Sequence, residues 1–315
     1  MSATTPSDDR VSAYALLTLT PFFWACNWIV ARGLSHDVPP LAMTFYRWLF
    51  AIVILAPFAA KHVRSDAQII RRHWRVLLAL GIVGIGTHNA LAYEGLRYTT
   101  AVNGVILNSF IPVMIVALSW LFLRERLAAL QVAGIVVSLC GVLTILSQGS
   151  LATLAALRLN PGDLLIIVSM AMWSVYTIGL RFRPPRMHVL SFLFVIACVG
   201  DIVVMPMYAV ETWLGEPMHW TPGTGVALLG VALFSSVLAY VFWNRGVECV
   251  GANVAGLFVH LMPVFGVILA WAILDERIAP FHVAGILLIL SGIYVTSRFA
   301  AAPVAMGHGA MGSEL

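Results

Sequence analysis

The sequence predicts an all-α membrane protein whose ten transmembrane helices form two inverted five-helix repeats around a central cavity. Composition is the first observation: of 315 residues, 61% are hydrophobic and 10% are charged, with a mean hydropathy of +0.93. Soluble domains carry about 25% charged residues, so lipid must cover the outside of this chain. The second observation is a series of apolar runs, each near the ~20 residues that a helix needs to cross a bilayer. The third is an internal repeat.

Apolar runs between loop signals define the spans, which we number 1 to 10. Each run is far longer than the ~10-residue alternating strands of a membrane β-barrel, and a helix satisfies its own backbone groups in lipid. The predicted limits are 11–33, 41–60, 75–96, 99–123, 128–147, 162–181, 188–210, 224–244, 250–274 and 279–298.

The positions of Lys and Arg predict the orientation, because basic residues collect in cytoplasmic loops. With the N-terminus inside, the cytoplasmic segments contain Arg10, Lys61, Arg64, Arg71, Arg72, Arg75, Arg124, Arg126, Arg181, Arg183, Arg186, Arg245 and Arg298. The outer segments contain only Arg32, Arg97, Arg158 and Arg277. We therefore expect a multi-pass protein of the bacterial inner membrane with both termini in the cytoplasm. The opening residues lack the basic region of a cleaved signal peptide, and residues 300–315 are predicted to form a disordered tail.

The two halves of the chain match each other at offsets of 151 and 149 residues. The matched pairs are Gly95 with Gly246, Ala101 with Ala252, Pro112 with Pro263, Trp120 with Trp271, Trp24 with Trp173, and Arg32 with Arg181. The run VAGI occurs at both 132–135 and 283–286. Five spans per half is an odd number, so the second half must cross the membrane inverted, as in many secondary transporters. The expected halves are residues 1–148 and 149–299.

The motifs in these halves resemble those of the EamA-type ten-helix members of the drug/metabolite transporter superfamily. The residues concerned are Trp24 and Arg32 in span 1, Tyr46-Arg47 in span 2, and a pattern of Ala, Pro, Glu-Arg and paired Gly that occurs twice. The resemblance implies a basket of helices around a cavity that opens to one side at a time. Within the superfamily, the aromatic residues of the spans resemble those of YddG-type exporters of aromatic and other neutral amino acids.

Spans 1 and 6 supply the predicted aromatic wall of the cavity. Trp24, Asn27 and Trp28 lie in span 1, and Trp173 and Tyr176 lie in span 6. Trp24 and Trp28 are four residues apart, so they share one helix face. Trp commonly anchors helices at the membrane interface, but these residues lie in mid-span. Two repeat-related Trp residues would give flat apolar walls for a substrate side chain.

Other polar or aromatic residues inside the spans are further candidates for substrate binding. A neutral amino acid needs hydrogen-bond partners for its ammonium and carboxylate, and intramembrane polar groups usually face protein or water. For each residue, a hydrogen bond between helices is an equally good interpretation. The candidates are His88, Tyr93, Asn108, Tyr240, Trp243, Asn244 and His260.

Four residues are candidates for coupling or gating. Arg47 would cost ~2.5–3.5 kcal/mol if unpaired near mid-membrane, so it either reaches the outer surface or captures a carboxylate. Asp201 in span 7 relays a proton, pairs with another helix, or is protonated and inert. Pro112 and Pro263 bend spans 4 and 9, because proline breaks the helical hydrogen-bond pattern.

Several function classes are disfavoured. Basic residues in short loops set topology, so the net charge of +4 does not predict nucleic-acid binding. The four cysteines stand singly, without metal-ligand or disulfide spacing. We find no nucleophile, paired carboxylates or phosphate-binding loop, so we expect neither an enzyme, nor an ATP-driven pump, nor a cofactor. A phosphorylated-sugar or nucleotide-sugar exchanger needs Lys or Arg in the cavity, and the presence of a single lysine, Lys61 in a loop, counts against that function.

The function expected from the sequence is export of neutral, especially aromatic and other apolar, amino acids by alternating access. The alternatives are export of another small metabolite or drug, or a membrane-embedded enzyme. A neutral amino acid runs down its own gradient without help from membrane potential, which favours facilitated export over obligatory proton exchange. The partners expected are the substrate and lipid, and the sequence leaves the oligomeric state open.

Overall fold

Ten helices long and apolar enough to cross a membrane lie within the part of the chain that the computed structural model describes, residues 6–34, 36–99, 101–155, 160–215, 217–274 and 277–299. The predicted all-α class and span count are therefore confirmed. The predicted tail, 300–315, lies outside the described residues. Spans 1 to 10 cover Arg10–Ala31, Pro40–Ser65, Trp74–Gly95, Ile106–Leu123, Ala129–Leu146, Pro161–Phe182, Val189–Trp213, Pro222–Val250, Ala252–Ala272 and Pro280–Arg298.

The ends of the spans follow from local chemistry. Span 1 belongs to a longer helix, Pro6–Gly33. Span 6 begins with a capping box, in which the Asn160 side chain accepts from the Asp163 backbone N–H and Asp163 accepts from that of Asn160. Span 8 runs six residues beyond its predicted end at 244, because the residues that follow, to Val250, contain only one helix-disfavouring glycine. Short helices at Ala67–Arg72 and Leu151–Ala155 lie between spans.

Spans 4 and 9 are interrupted just before their prolines. In span 4, two residues, Ser109 and Phe110, separate helix Ala101–Asn108 from helix Ile111–Leu123. In span 9, a 3-10 turn at Phe258–His260 precedes helix Leu261–Leu274. Proline lacks the N–H that would bond four residues back, so each interruption lies where the α-helical pattern must fail. The α-helical pattern is thus interrupted before both prolines, and the bend of each helix stays a prediction.

Spans 3 and 8 each contain a π-helical segment, at Ile82–Thr87 and Ala232–Leu238. The wider π turn changes the pattern of backbone hydrogen bonds and often marks functional sites. Backbone carbonyls in both segments accept hydrogen bonds from side chains. The Tyr240 hydroxyl donates to the Gly84 carbonyl at 3.1 Å, and Arg47 Nη2 donates to the Ser235 carbonyl at 3.1 Å.

Spans 5 and 10 pack against each other through glycines. A Cβ built on Gly134 would lie 2.7 Å from the Gly292 carbonyl oxygen, and one on Gly141 would lie 2.6 Å from the Gly285 carbonyl oxygen. Only glycine permits so close an approach of two helix backbones. Gly134 corresponds to Gly285 at an offset of 151, and Gly141 to Gly292, so the contacts are reciprocal, as a two-fold axis between repeats would require.

Candidate functional site

A cavity of about 60 Å³ lies in the middle of the bundle, between spans 1, 2, 3, 4, 6, 8 and 9. We call it the central cavity. Eight of the twelve predicted substrate-binding residues line it, together with Arg47. The predicted residues on its wall are Trp24, Asn27, Trp28, His88, Tyr93, Asn108, Trp173 and Tyr240.

The aromatic part of the wall is built around the repeat-related pair of tryptophans. The rings of Trp24 and Trp173 meet edge-to-face, with centroids 5.1 Å apart and an interplanar angle of 87°. Trp173 also packs against His88, at 5.0 Å between ring centroids, and against Tyr240, at 5.5 Å. Edge-to-face pairs are a favoured aromatic geometry. The two spans therefore meet through these rings at the cavity.

Arg47 is the charged residue on this wall, and it is turned into the bundle rather than toward the outer surface. The side chain is 2% exposed. Nε donates to Ser236 Oγ at 2.6 Å, Nη1 donates to Asn89 Oδ1 and to the Tyr93 hydroxyl, and Nη2 donates to the Ser235 carbonyl. These bonds use four of the five guanidinium N–H groups. All four acceptors are neutral, so the positive charge is solvated by dipoles and not cancelled.

No acidic side chain balances this charge within the described part of the chain. None of its ion pairs includes Arg47, and the residues that line the cavity include neither Asp nor Glu. Taking an arginine out of water costs several kcal/mol, which a counter-charge normally offsets. An uncancelled cation on the wall of a cavity favours an anionic group on the ligand.

A network of neutral hydrogen bonds holds Arg47 in place. The Tyr93 hydroxyl lies 2.9 Å from both Arg47 Nη1 and Asn27 Nδ2. Asn89 Oδ1 accepts from Arg47, while Asn89 Nδ2 donates to the Tyr240 hydroxyl at 3.3 Å. Spans 1, 2, 3 and 8 are thereby joined around one guanidinium. Hydrogen-bond networks of this kind rigidify a site.

His88 presents one ring nitrogen without a protein partner among the described residues. The Ser169 hydroxyl donates to the His88 carbonyl at 2.8 Å. Its single proton is then used, so His88 Nδ1, which lies 3.0 Å from the Ser169 carbonyl and 2.8 Å from Ser169 Oγ, must be the donor to both. The neutral ring therefore carries its proton on Nδ1, and Nε2 is a free acceptor.

Four predicted substrate-binding residues lie outside the cavity wall. The Tyr176 hydroxyl donates to Asn244 Oδ1 at 2.7 Å. The ring centroid of Trp243 lies 5.5 Å from that of Trp173. Tyr176, Asn244 and Trp243 are almost fully buried. His260 Nε2 donates to the Ser109 carbonyl at 2.8 Å, and Nδ1 accepts from Ser138 Oγ at 2.7 Å. Because both its nitrogens are occupied, His260 connects spans 4, 5 and 9 in this conformation.

The other coupling and gating candidates also lie away from the central cavity. Asp201 is buried in span 7, and its Oδ1 has no hydrogen-bond partner among the described residues. Pro112 is buried at the start of helix Ile111–Leu123. Pro263 lines a second cavity. The side chains of these residues therefore do not meet a ligand in the central cavity.

Ion pairs connect several spans at the predicted cytoplasmic end. Arg181 Nη1 lies 2.6 Å from Glu125 Oε1, and the other carboxylate oxygen of Glu125 accepts from Asn253 at 3.2 Å. Glu248 pairs with Arg183 at 3.5 Å and Arg245 at 3.1 Å. Burial lowers the pKa of Arg183, and the nearby Glu248 carboxylate raises it. We call Glu125, Arg181 and Asn253 the Glu125 cluster. Its contacts join the first half of the chain to the second.

The central cavity is contracted. A volume of about 60 Å³ holds a few water molecules, whereas ligand pockets usually measure ~300–1,000 Å³. Binding of a metabolite therefore requires the spans to separate. Within the described residues, no group of three or more His, Cys, Asp or Glu side chains is placed to hold a metal ion.

Sequence reasoning missed the apolar part of the wall and two ligands of Arg47. Ile111, Val259 and Met262 line the cavity, but apolar residues within apolar helices carry no distinguishing signal. Ser235 and Ser236 lie in the π-helical segment of span 8. Two adjacent serines amid apolar residues were the available signal, since buried polar groups need partners.

The chain was then compared with known proteins. The model of the EamA-like transporter family matches residues 11–147 and again residues 160–298. The chain belongs to the EamA-like transporter family. It is 32% identical over 295 residues to YyaM, an uncharacterized transporter of Bacillus subtilis (strain 168), covering 91% of this chain and 94% of that protein. An uncharacterized transporter of Archaeoglobus fulgidus is 28% identical over 285 residues, covering 90% and 96%.

A solved structure shares the fold. This crystal structure of a protein superposes with a TM-score of 0.74 at 20% identity, covering 92% of this chain and 98% of that one. The family and these relatives make this chain a multi-pass membrane transporter and not an enzyme, as the sequence predicted. The narrower resemblance to YddG-type exporters, the substrate and the orientation stay predictions.

Proposed function

We propose that this EamA-family transporter exports neutral amino acids with apolar or aromatic side chains, and that Arg47 holds the carboxylate of the substrate. The observation that carries the proposal is the charge of Arg47, which is buried at the cavity wall with no acidic partner among the described residues. A carboxylate there would receive charge-assisted hydrogen bonds in a low-dielectric site. The remaining Nη2 N–H group is available for one of them.

Neutral acceptors on the same wall suit the ammonium group of the substrate. His88 Nε2 is free, and Asn27 and Asn108 contribute amide oxygens. The rings of Trp24 and Trp173 offer apolar faces for the substrate side chain and a cation–π surface for the ammonium. One charged donor, several neutral acceptors and two indole rings match the groups of a zwitterion with an apolar side chain.

A second candidate substrate is an apolar monocarboxylate without an amino group. The same wall supports it, because the wall has a cation and, within the described residues, no carboxylate to pair with an ammonium. A substrate with two or more negative charges fits less well, since Arg47 is the single Lys or Arg among the residues that line the cavity.

Alternating access requires the two halves to move against each other around the central cavity. The breaks before Pro112 and Pro263 and the glycine contacts between spans 5 and 10 are the elements about which we propose that the halves rock. Because a neutral amino acid carries no net charge, we propose facilitated export without obligatory proton exchange. A fixed proton-to-substrate ratio in proteoliposomes would contradict this part.

The proposal is tested with three labelled compounds that share a phenyl group. Phenylalanine carries both a carboxylate and an ammonium, phenyllactate carries only the carboxylate, and phenethylamine carries only the ammonium. We expect efflux of phenylalanine from proteoliposomes of the purified chain. Efflux of phenyllactate at a comparable rate would favour the second candidate, and efflux of phenethylamine alone would refute the role of Arg47 in binding a carboxylate.

A further inference from the structure

A second cavity of about 320 Å³ lies beside the central cavity, and we call it the side chamber. It is bounded by spans 1, 5, 9 and 10 and is lined mostly by apolar residues, among them Ile29, Ile145, Pro263 and Val267. Its volume falls within the range of pockets that bind small organic molecules. It is therefore large enough for a ligand that the contracted central cavity excludes.

Two residues, Trp28 and Met262, line both cavities and form the wall between them. The contacts that the structure gives for these two side chains are few. Met262 Sδ accepts a long bond of 3.8 Å from Asn108 Nδ2, and the Trp28 ring tip lies 3.9 Å from the position that a Cβ on Gly104 would occupy. A flexible thioether and one indole are side chains that can swing aside through rotamer changes. A ligand can pass between the cavities when they do.

Among the described residues, the charge on the wall of the side chamber is positive. Arg277 lies there and is exposed, with no ion-pair partner among the residues that the structure describes. His282 also lines the chamber, and its Nδ1 accepts from the Ala279 backbone N–H at 3.0 Å. The neutral imidazole therefore carries its proton on Nε2, which makes Nε2 a second donor. Two donors at the end of an apolar chamber complement an organic anion with an apolar body.

We infer that the side chamber is a second substrate site on the exit path, in which Arg277 receives the carboxylate after it leaves Arg47, and that Trp28 and Met262 form the gate between the two sites. This inference rests on the proposed function. It is consistent with the predicted topology, which puts the connection between spans 9 and 10 on the outer side. Passage from Arg47 to Arg277 would keep the carboxylate paired with a cation at both stops.

The test is efflux of labelled phenylalanine from proteoliposomes, combined with equilibrium binding to the detergent-solubilised protein. Gly266→Phe adds a ring at a residue that lines the chamber, and the position can accept a side chain, since nothing lies within 4 Å of a Cβ built there. Gly230→Phe is the matched control, because a Cβ there is equally unobstructed and Gly230 lines neither cavity. We expect Arg277→Gln to slow efflux about tenfold, the effect of losing one charge-assisted hydrogen bond. Gly266→Phe should slow efflux as well, because its ring takes up space in the chamber. Binding at the central site persists in both variants.

Three results would overturn the inference, and they are distinguishable. If both variants export phenylalanine as fast as Gly230→Phe while Arg47→Gln is inactive, the chamber is not on the path but the proposed function stands. If the variants are slow only in vesicles containing phosphatidylglycerol and normal in pure phosphatidylcholine, the chamber binds an anionic lipid. If the unmodified chain neither binds nor exports phenylalanine, both the proposed function and this inference fail.

Discussion

The two halves of this transporter contain the same hydrogen-bonded pair of side chains, but in different surroundings. Asn27 and Tyr93 join spans 1 and 3, and Tyr176 and Asn244 join spans 6 and 8, with contacts of 2.9 and 2.7 Å. At the offsets of 149 and 151 residues, Asn27 corresponds to Tyr176 and Tyr93 to Asn244. The amide and the phenol have exchanged helices, while the bond between them has been kept.

The first pair lies on the cavity wall beside Arg47, whereas the second is buried outside the cavity. The difference comes from the neighbouring span. The offset that aligns Pro57 with Pro206 aligns Arg47 with Ile196, which is fully buried. One half therefore supplies the charge of the site, and the other supplies a sealed apolar layer. Two halves that match in sequence thus contribute unequally to the site.

The largest effect is expected from removing the charge that distinguishes the two halves. Arg47→Gln should lower transport by about 100-fold, because a charge-assisted hydrogen bond to substrate is worth up to ~3 kcal/mol. The free energy of unfolding should change less than transport does, because relief of the buried, uncancelled charge offsets part of the cost of losing the four hydrogen bonds of Arg47. Efflux and thermal unfolding in detergent measure the two effects.

Arg64→Gln is the control for this substitution, since Arg64 lies in the same span and is exposed. It should leave both measurements unchanged. Transport by Arg47→Gln at the rate of Arg64→Gln would show that the charge has no part in substrate binding, and the difference between the halves would then be structural only.

The span count, the all-α class and the breaks at the prolines could be predicted from sequence because each has a local cause. Long apolar runs define spans, and proline removes a specific hydrogen bond. The π-helical segments at Ile82–Thr87 and Ala232–Leu238 could not, since they arise where a helix accommodates its neighbours and no residue type requires them. The place of Met262 on the cavity wall could not be predicted either, because it depends on how the chain turns at the 3-10 turn in span 9.

The residues of the candidate site were predictable in type but not in contact. Intramembrane Trp, Asn, His and Arg side chains are conspicuous, so most of the wall could be named. Whether a given residue faces the cavity depends on helix rotation, which the sequence does not specify. His260 illustrates this. At the offset of 151 residues it corresponds to Ser109, but its side chain does not face the cavity and donates to the backbone carbonyl of Ser109.

An intermediate effect is expected from removing one hydroxyl from each pair. Tyr93→Phe removes a partner of both Arg47 and Asn27, so the KM for phenylalanine should rise about tenfold, the equivalent of one hydrogen bond. Tyr176→Phe leaves Asn244 Oδ1 without this partner, and Asn244 Nδ2 already has none among the described residues. It should lower the free energy of unfolding by ~1–3 kcal/mol with little change in KM. Equal effects of the two substitutions on KM would mean that both pairs contact substrate.

The smallest effect is expected at the Glu125 cluster. This cluster lies at the predicted cytoplasmic end of the bundle, where Glu125 contacts Arg181 of span 6 and Asn253 of span 9. Glu125 and Arg181 are both about half exposed, and such pairs are worth ~0.2–1 kcal/mol. Glu125→Gln should therefore shift the equilibrium toward opening of this end by about two- to fivefold at low salt, and less at high salt. The measurement is the rate of maleimide labelling of Val247→Cys, with the four native cysteines replaced by alanine.

Glu94→Gln is the control, since Glu94 pairs with Arg97 at the other end of the bundle, 3.5 Å away and within the same half. If Glu94→Gln accelerates labelling as much as Glu125→Gln, the effect reflects net charge, and the Glu125 cluster does not hold the two halves together.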